Sequence, residues 1–241
     1  MRERPSPNHD ARPDGVPVDI LLLHYTGMRS CGDAVDRLCD PLAKVSAHYV
    51  IDEDGTVWRL VAEDRRAWHA GVSCWHGARD INARSVGIEL VNPGHEFGYR
   101  PFPEAQMAAL EALAPEIVAR HGIPPARILG HSDVAPARKQ DPGELFEWAR
   151  LARGGLGLWP ATSFRPSDRA PACAPGERGG AVFELQLALA AIGYDVEGTG
   201  VFDPTTTTVV TAFQRHFRPS RVDGIADAET GALARHLAEL A

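Results

Sequence analysis

The sequence predicts an α/β domain followed by a small helical domain, and three observations support this assignment. Two short apolar runs, residues 18–23 and 85–91, have the composition of buried strands, and residues 104–121 have helical spacing of their apolar positions. Asp54 and Gly55 separate two β-rich runs, which is a good signal for a β-hairpin. Near the C terminus, three short amphipathic segments follow one another, a pattern that predicts a small helical bundle.

Changes in composition predict four parts along the chain. Residues 1–17 are polar and rich in proline, and we expect them to form a tail. Residues 18–152 carry the strand and helix patterns of the main domain. Residues 153–180 turn to Gly, Pro, Ser and Ala, which predicts a linker. Residues 181–241 contain the three amphipathic segments, and a core of that size is near the lower limit for independent folding.

Local patterns predict the remaining elements of the main domain in order. Residues 33–42 are weakly helical, and residues 48–60 have the pattern of strand, turn and strand. Residues 68–82 are rich in Gly, Trp and His without periodicity, which predicts a long loop of the kind that often carries function. Pro115 lies inside the helical pattern of residues 104–121, so we expect a kink or an early end there.

Composition also restricts the classes of partner. The formal net charge is −7 and no basic stripe is present, which argues against nucleic acid as the main partner. No apolar window reaches the length of a membrane span, and the N terminus lacks the apolar core of a secretory signal. We therefore expect a cytoplasmic protein, with the periplasm or cell envelope as the alternative.

Two residue types are informative because they are rare. The four cysteines contain no CxxC pair, which argues against a structural cysteine-rich zinc site. Free thiols are favoured over a bridge between Cys31 and Cys39. Of the 25 basic residues only Lys44 and Lys139 are lysine, so either chance or a chemical requirement has kept a lysine beside Arg138.

The residues best suited to chemistry lie in a proline-broken loop, residues 131–143. This loop contains the imidazole of His131 and the carboxylate of Asp141, and the imidazole of His24 follows the first apolar strand. Two neutral nitrogens and one carboxylate suit catalytic zinc and leave the fourth position for water. The chemistry indicated is attack of a metal-activated water on a carbonyl. Taken singly, each histidine is more often a hydrogen-bonded structural residue.

Two charged residues are further candidates for catalysis. Glu89 lies among Val, Ile and Leu, where an ionised carboxylate is costly to bury unless it is paired or functional. It either orients the attacking water or lies on the solvent face of the sheet. Lys139 precedes Asp141 by two positions and could face a developing oxyanion. The alternative is a solvated loop charge.

Several separated blocks of the sequence together resemble the type 2 family of zinc-dependent N-acetylmuramoyl-L-alanine amidases. The superfamily also contains phage T7-type lysozyme and the peptidoglycan recognition proteins. The resemblance covers about residues 18–150. The matching blocks are residues 22–26, residues 48–52 with Gly55, residues 68–71 with Ser73 and Trp75, Asn82 with residues 85–90, and residues 131–143.

This resemblance implies a fold and a set of roles. The fold is a mixed central β-sheet flanked by helices. Ala47 stands where some relatives carry a catalytic tyrosine, so the chain resembles the branch that uses a glutamate instead. The implied roles are zinc ligands for His24, His131 and Asp141, the catalytic acid/base for Glu89, and stabilisation of the tetrahedral intermediate for Lys139.

Six residues are candidates for lining a substrate groove, because aromatic faces suit sugar rings and arginine suits peptide carboxylates. One of them, His69, could instead hold a metal ligand in place. The six are Trp68, His69, Trp75, Asn82, Arg84 and Arg138.

Residues 181–241 resemble the three-helix peptidoglycan-binding domain. Such domains bring cell-wall hydrolases to their polymer, and the alternative is a bundle that only stabilises or dimerises the catalytic domain. The matching positions are Leu185, Gln186, Gly193, Tyr194, residues 200–203, Thr207, Val210, Phe213, Gln214, Asp223, Gly224 and Thr230.

The implied reaction is hydrolysis of the amide that joins the lactyl group of N-acetylmuramic acid to L-alanine. The wall-binding resemblance favours intact peptidoglycan as substrate, whereas the missing signal favours anhydro-muropeptides. One alternative keeps the fold without the chemistry, as a non-catalytic peptidoglycan receptor. Another is an iron oxygenase, suggested by residues 131–133, but it needs a distal histidine on a β-barrel. Only His216 and His236 follow, both on predicted helices.

Overall fold

A six-stranded mixed sheet forms the centre of the protein in a computed structural model that describes residues 1–165 and 172–241. The strands are β1 (Arg2–Glu3), β2 (His9–Ala11), β3 (Ile20–Tyr25), β4 (Tyr49–Ile51), β5 (Val57–Arg59), β6 (Arg65–Ala67), β7 (Ser85–Leu90) and β8 (Ile128–Gly130). Their order in the sheet is β1-β5-β4-β7-β3-β8, and β2 pairs separately with β6. Among the strands of the described residues, only the β4–β5 hairpin is antiparallel within the large sheet.

Helices cover both faces of the sheet, as parallel strands that are buried on both sides require. This confirms the predicted α/β fold with a mixed central sheet and flanking helices. The helices in the described part of the chain are α1 (Cys31–Cys39), α2 (Ile81–Arg84), α3 (Gly94–Phe97), α4 (Glu104–His121), α5 (His131–Val134), α6 (Trp148–Arg153), α7 (Gly180–Ile192), α8 (Pro204–Phe217) and α9 (Ala228–Ala238). None of them is long and apolar enough to cross a bilayer.

Helix α4 passes through Pro115 without ending there. The missing N–H of Pro115 costs a backbone hydrogen bond, and burial of the apolar face of the helix offsets that cost. Met107, Leu110 and Ile117 on this face are fully buried against the sheet. The predicted early end of this helix is therefore wrong.

The N-terminal segment is a packed part of the fold rather than a free tail. Strand β1 pairs with β5, and β2 pairs with β6. Ser6 and Asn8 are buried, and the Asn8 amide donates to the backbone carbonyls of Asp40 and Val45. The predicted tail is wrong because these polar side chains bond to backbone groups that are far away in the sequence. Local composition does not reveal such contacts.

Arg12 holds this segment to the main domain. Its guanidinium donates to the backbone carbonyls of Glu63, Asn82, Ala83 and Ser85 at 2.8–3.1 Å. Burial is the main reason that the pKa of Arg12 falls to about 10, although the nearby Asp64 and Glu63 oppose the shift. One side chain thus satisfies four carbonyls, one before β6, two on α2 and one at the start of β7.

The C-terminal helices form a bundle with an internal repeat of hydrogen bonds. Gln186 of α7 accepts from the backbone N–H groups of Thr199 and Gly200 and donates to the backbone of Val201. Gln214 of α8 repeats this pattern one helix later, with Asp223, Gly224 and Ile225. Each buried glutamine therefore fixes the loop before the next helix.

This bundle shares one core with the sheet domain. Leu22, Trp75 and Leu129 of the sheet domain belong to the same apolar cluster as Leu189 and Phe213 of the bundle. The bundle therefore does not depend on its own small core alone for its stability. Of the predicted linker, residues 166–171 lie outside the described residues.

Cys31 and Cys39 lie at opposite ends of α1 and are free thiols in the structure. Their backbones are about 12 Å apart along a helix of this length. A disulfide needs Cα atoms within about 7 Å, so these two residues cannot bridge while the helix is formed.

We expect Arg12→Ala to lower the free energy of unfolding by roughly 2–4 kcal/mol, because several partly buried carbonyls lose their donors together. Urea unfolding measures this change. Arg4→Ala is the control, because Arg4 makes an exposed ion pair with Asp36 that is worth about 0–1 kcal/mol. Equal losses in the two variants would contradict the proposed anchoring by Arg12.

Candidate active site

Parallel strand pairing brings the two candidate histidine ligands together. Leu23 of β3 lies opposite Gly130 of β8, so His24 and His131 follow at the same carboxyl edge of the sheet. Asp141 joins them because its backbone carbonyl accepts from the N–H of Ser132 at 2.9 Å. All three candidate ligands are buried. The fold thus brings His24 and His131, which are 107 positions apart in the sequence, into contact.

The three candidate ligand atoms form a nearly equilateral triangle. Nδ1 of His24 lies 2.9 Å from Nδ1 of His131, and each nitrogen lies 3.0 Å from Oδ2 of Asp141. Tetrahedral zinc with ligand bonds of 2.0–2.1 Å requires ligand atoms about 3.3 Å apart. The group can therefore hold a metal after small outward shifts, and its donor types suit zinc.

Hydrogen bonds on the far side of each ring leave Nδ1 available for a metal. Nε2 of His131 lies 3.0 Å from the carbonyl of Ala70, which can only accept, so Nε2 carries a proton. Nε2 of His24 lies 3.0 Å from Nδ1 of His69, and we assign the proton to His24. Partners of this kind fix the tautomer and orientation of metal-binding histidines.

The charge states of these groups also suit a cation. Burial, followed by the neighbouring His131, lowers the pKa of His24 to about 4, so its ring is neutral at pH 7. Burial acts to raise the pKa of Asp141, but the two imidazoles outweigh it and hold that pKa well below its usual range. A neutral imidazole nitrogen of His24 and an anionic oxygen of Asp141 thus face a common point.

His69, Asn82 and Gly87 support the triad from within the protein. Gly87 leaves the space for His69, since a Cβ atom there would lie 2.5 Å from Nδ1 of that ring. Oδ1 of Asn82 accepts from the backbone N–H groups of His69 and Ala70. His69 and the side-chain oxygen of Asn82 therefore support the loop that contacts His24 and His131, besides lining part of the cleft.

Glu89 lies beside the triad because of strand register. It is paired directly with His24 across β3 and β7, and it lines the same cavity of about 260 Å³ as His131, Lys139 and Asp141. Its Oε2 atom is buried without a hydrogen-bond partner among the described residues. Burial, with a contribution from Asp141, raises the pKa of Glu89 well above its usual range, and Lys139 opposes this shift.

Lys139 reaches the same cavity from the loop after α5. It is half-buried, and its backbone N–H donates to the carbonyl of Ala135 at 3.0 Å. The loop thereby presents the Lys139 side chain beside Glu89 and Asp141. A carboxylate and an ammonium thus flank the metal-binding triad.

Trp68 and Arg138 line the continuation of this cavity, together with the two predicted groove residues already described, His69 and Asn82. Trp68 donates from Nε1 to Oδ2 of Asp10 at 2.7 Å, and Arg138 donates to the carbonyls of Ala70 and Val72. Both belong to a neighbouring cleft of about 410 Å³. The residues that line the site but were not predicted include Asp10, Tyr25, Lys44 and Arg66. Tyr25 could have been found, because it follows His24 directly.

Trp75 and Arg84 do not line the groove. Trp75 is buried against Tyr194 of the C-terminal bundle, with ring centroids 5.0 Å apart. Arg84 precedes β7 and pairs with Asp19, at the strand end opposite to the triad. Both assignments fail because composition marks a residue as suited to a ligand without indicating which end of the sheet it occupies.

The iron oxygenase alternative also fails on geometry. Asp133 does not share a centre with His131, because its carboxylate accepts from Tyr194 and from the imidazole of His216. His236 stacks on Phe164, with ring centroids 4.6 Å apart. His131 therefore points to His24, whereas Asp133 pairs with His216, so these residues do not share one centre.

Comparisons with known proteins match both parts of the chain. Residues 14–144 match the N-acetylmuramoyl-L-alanine amidase family, and residues 178–233 match the peptidoglycan binding domain family. N-acetylmuramoyl-L-alanine amidase AmiD of Escherichia coli (strain K12) is 39% identical over 237 residues, which cover 92% of this chain and 83% of that protein. The 1,6-anhydro-N-acetylmuramyl-L-alanine amidase AmpD of Enterobacter cloacae is 36% identical over 62% of this chain and 87% of its own length.

Two solved structures are similar over most of the chain. The complex of Escherichia coli AmiD with the substrate anhydro-N-acetylmuramic acid-L-Ala-D-gamma-Glu-L-Lys has a TM-score of 0.77 and 36% identity, and covers 94% of this chain and 91% of that one. AmpDh3 from Pseudomonas aeruginosa in complex with anhydromuramic pentapeptide has a TM-score of 0.78 and 32% identity, and covers 95% of this chain and 94% of that one.

His48 gives the folded state a defined pH dependence. Its Nδ1 accepts from the backbone N–H of Gly87 at 2.9 Å, and its Nε2 lies 3.0 Å from the carbonyl of Arg65. Burial lowers the pKa of His48 to about 3. In the unfolded chain the ring takes up a proton below about pH 6.5, whereas the folded protein keeps it neutral. The contribution of neutral His48 to the free energy of unfolding is therefore complete above about pH 6.5, and it decreases as the pH falls towards 3.

We expect the free energy of unfolding to decrease by about 2 kcal/mol from pH 7 to pH 5 because of His48 alone. His48→Asn keeps an acceptor for the Gly87 N–H but does not titrate. Urea unfolding of both proteins at the two pH values should show a smaller acid loss in the variant. An unchanged pH dependence would show that His48 is not held neutral.

Proposed function

Because the chain belongs to the N-acetylmuramoyl-L-alanine amidase family, we propose that it hydrolyses the amide between N-acetylmuramic acid, or its 1,6-anhydro form, and the L-alanine of the stem peptide. The observation that carries this proposal is the triangle of His24, His131 and Asp141 at a cavity that also contains Glu89 and Lys139. The substrate follows from the relatives, which are named for this amide and include complexes with anhydromuramyl peptides.

Zinc is the proposed cofactor, with His24, His131 and Asp141 as its ligands. Two imidazoles and a carboxylate make a three-ligand set with one open position. Bound there, zinc supplies a water of lowered pKa and polarises the scissile carbonyl. Burial of the triad strengthens every electrostatic interaction within it, because the surrounding dielectric is low.

Glu89 is proposed to move the proton during hydrolysis. Burial raises the pKa of Glu89 well above its usual range, which suits a group that must both accept and donate a proton. The carboxylate takes a proton from the attacking water and delivers it to the amide nitrogen as the C–N bond breaks. Its Oε2 atom has no hydrogen-bond partner in the part of the chain that the structure describes, and it is available for this transfer.

Lys139 is proposed to stabilise the negative charge that develops on the carbonyl oxygen. Its ammonium lines the cavity beside Glu89 and Asp141. A positioned donor acts most strongly in the transition state, where the oxygen is most negative. The neighbouring cleft adds Lys44, Arg66 and Arg138, which suit the carboxylates of an acidic stem peptide.

The described geometry favours an enzyme over a non-catalytic receptor. A receptor needs a cleft for the ligand, but it has no use for a metal triad with a proton carrier and an ammonium beside it. We propose residues 18–152 as the catalytic domain and residues 181–241 as a peptidoglycan-binding domain, joined by residues 153–180. The match to a peptidoglycan binding domain family supports the second assignment.

The direct test is release of the peptide from a purified anhydro-muropeptide and from intact peptidoglycan, followed by mass spectrometry. We expect cleavage at the L-alanine amide by the zinc-loaded protein. Asp141→Ala should lose both zinc, measured by elemental analysis, and activity. Asp36→Ala is the control, because this acidic residue is exposed on α1. Zinc-free wild-type protein with full activity, or cleavage at another bond, would contradict the proposal.

We expect Lys139→Ala to retain zinc and to lose about two to three orders of magnitude in kcat, because one oxyanion donor is worth about 3 kcal/mol. Steady-state kinetics on a soluble muropeptide measures this. Lys139→Arg keeps the charge and should recover part of the loss, although arginine does not match the lysine geometry. An alanine variant with activity near wild type would exclude the role of Lys139.

A further inference from the structure

A buried carboxylate, Asp133, links the metal-binding loop to the C-terminal bundle. It is 1% exposed and lies two positions after His131. Its Oδ2 atom accepts from the backbone N–H of Gly130 at 2.8 Å and from Nδ1 of His216 at 2.7 Å, and its Oδ1 atom accepts from the hydroxyl of Tyr194 at 2.7 Å. Two of these three donors belong to the bundle.

The element that carries Asp133 also carries the triad. Helix α5 is a single turn that begins with His131. The N–H of Ser132, on the same turn, donates to the carbonyl of Asp141 at 2.9 Å. One short turn therefore determines the position of one candidate ligand and the backbone of another. A four-residue helix is not stable alone, so its orientation depends on tertiary contacts.

The two donors from the bundle are themselves rigidly held. Tyr194 is buried, and its ring packs edge-on against Trp75 with centroids 5.0 Å apart. His216 stacks on Trp148, with centroids 3.7 Å apart. Packing of this kind fixes both donors before a metal binds, so they can act as a fixed reference for the turn.

We propose that Tyr194 and His216 are positioning residues for the metal centre, acting through Asp133 on the turn that presents His131. The C-terminal bundle then contributes to catalysis on any substrate, in addition to its proposed role in binding the polymer. This inference rests on the proposed function, because it assigns a role towards the proposed zinc site. The bond network gives the bundle a function that a wall-binding module attached by a linker would not have.

The test uses full-length Tyr194→Phe, His216→Leu and His216→Asn. Tyr194→Phe removes one hydroxyl, His216→Leu removes the second donor, and His216→Asn keeps an N–H near the position of Nδ1. Zinc affinity is measured by competition with a chromogenic chelator, and kcat and KM are measured on a soluble anhydro-muropeptide. Tyr49→Phe is the matched control, because it removes a hydroxyl that donates to Glu63 at 2.5 Å, away from the triad.

We expect zinc to bind about 10-fold to 100-fold more weakly in Tyr194→Phe and in His216→Leu, the range found when partners behind metal ligands are removed. In both variants kcat should fall while KM stays within about twofold, and His216→Asn should recover part of the zinc affinity. Tyr49→Phe should lower the melting temperature without weakening zinc binding.

The outcomes separate this inference from the proposed function. If wild-type protein binds no zinc, both are wrong. If wild-type protein binds zinc and cleaves the muropeptide, but Tyr194→Phe and His216→Leu match its zinc affinity and kcat, only the inference is overturned. Loss of activity on insoluble peptidoglycan alone, with normal values on the soluble substrate, would also overturn it, because that result indicates a targeting role for the bundle.

Discussion

Parallel register between neighbouring strands is the constraint on which the site depends. β3 lies between β7 and β8, and its pairing places His24 opposite Glu89 and one step beyond the Leu23–Gly130 pair that precedes His131. Parallel strands end at the same edge of the sheet, so the polar residues that follow them converge there. A shift of one residue in β3 would turn His24 to the other face and break the triad.

Burial makes this convergence chemically useful and also costly. Desolvation keeps His24 neutral and raises the pKa of Glu89, so the site combines metal-binding nitrogens with a carboxyl group suited to proton transfer. The same desolvation means that each buried polar group needs a partner. His69, Asn82 and the backbone carbonyl of Ala70 provide those partners, and Gly87 provides the space for them.

The sequence predicted the α/β fold because apolar runs and helical spacing are local signals. His24 and Glu89 were identifiable because a polar residue at the end of an apolar run, or within one, is unusual. His131 and Asp141 were identifiable because they share one short, proline-broken loop. Trp75 and Arg84 were misassigned, since composition does not indicate the direction in which a loop residue points. The packing of residues 1–17, and the contact between Asp133 and the bundle, depend on partners far away in the sequence. No periodicity or spacing encodes such contacts.

The central claim is that two histidines and one aspartate share a single metal ion. X-ray absorption at the zinc K-edge of the zinc-loaded full-length protein tests it most directly. The account predicts a four-coordinate shell of nitrogen and oxygen at about 2.0–2.2 Å, with the multiple-scattering signature of two imidazoles. A sulfur shell at about 2.3 Å, or a spectrum that does not change when His24 and His131 are replaced by alanine, would contradict it.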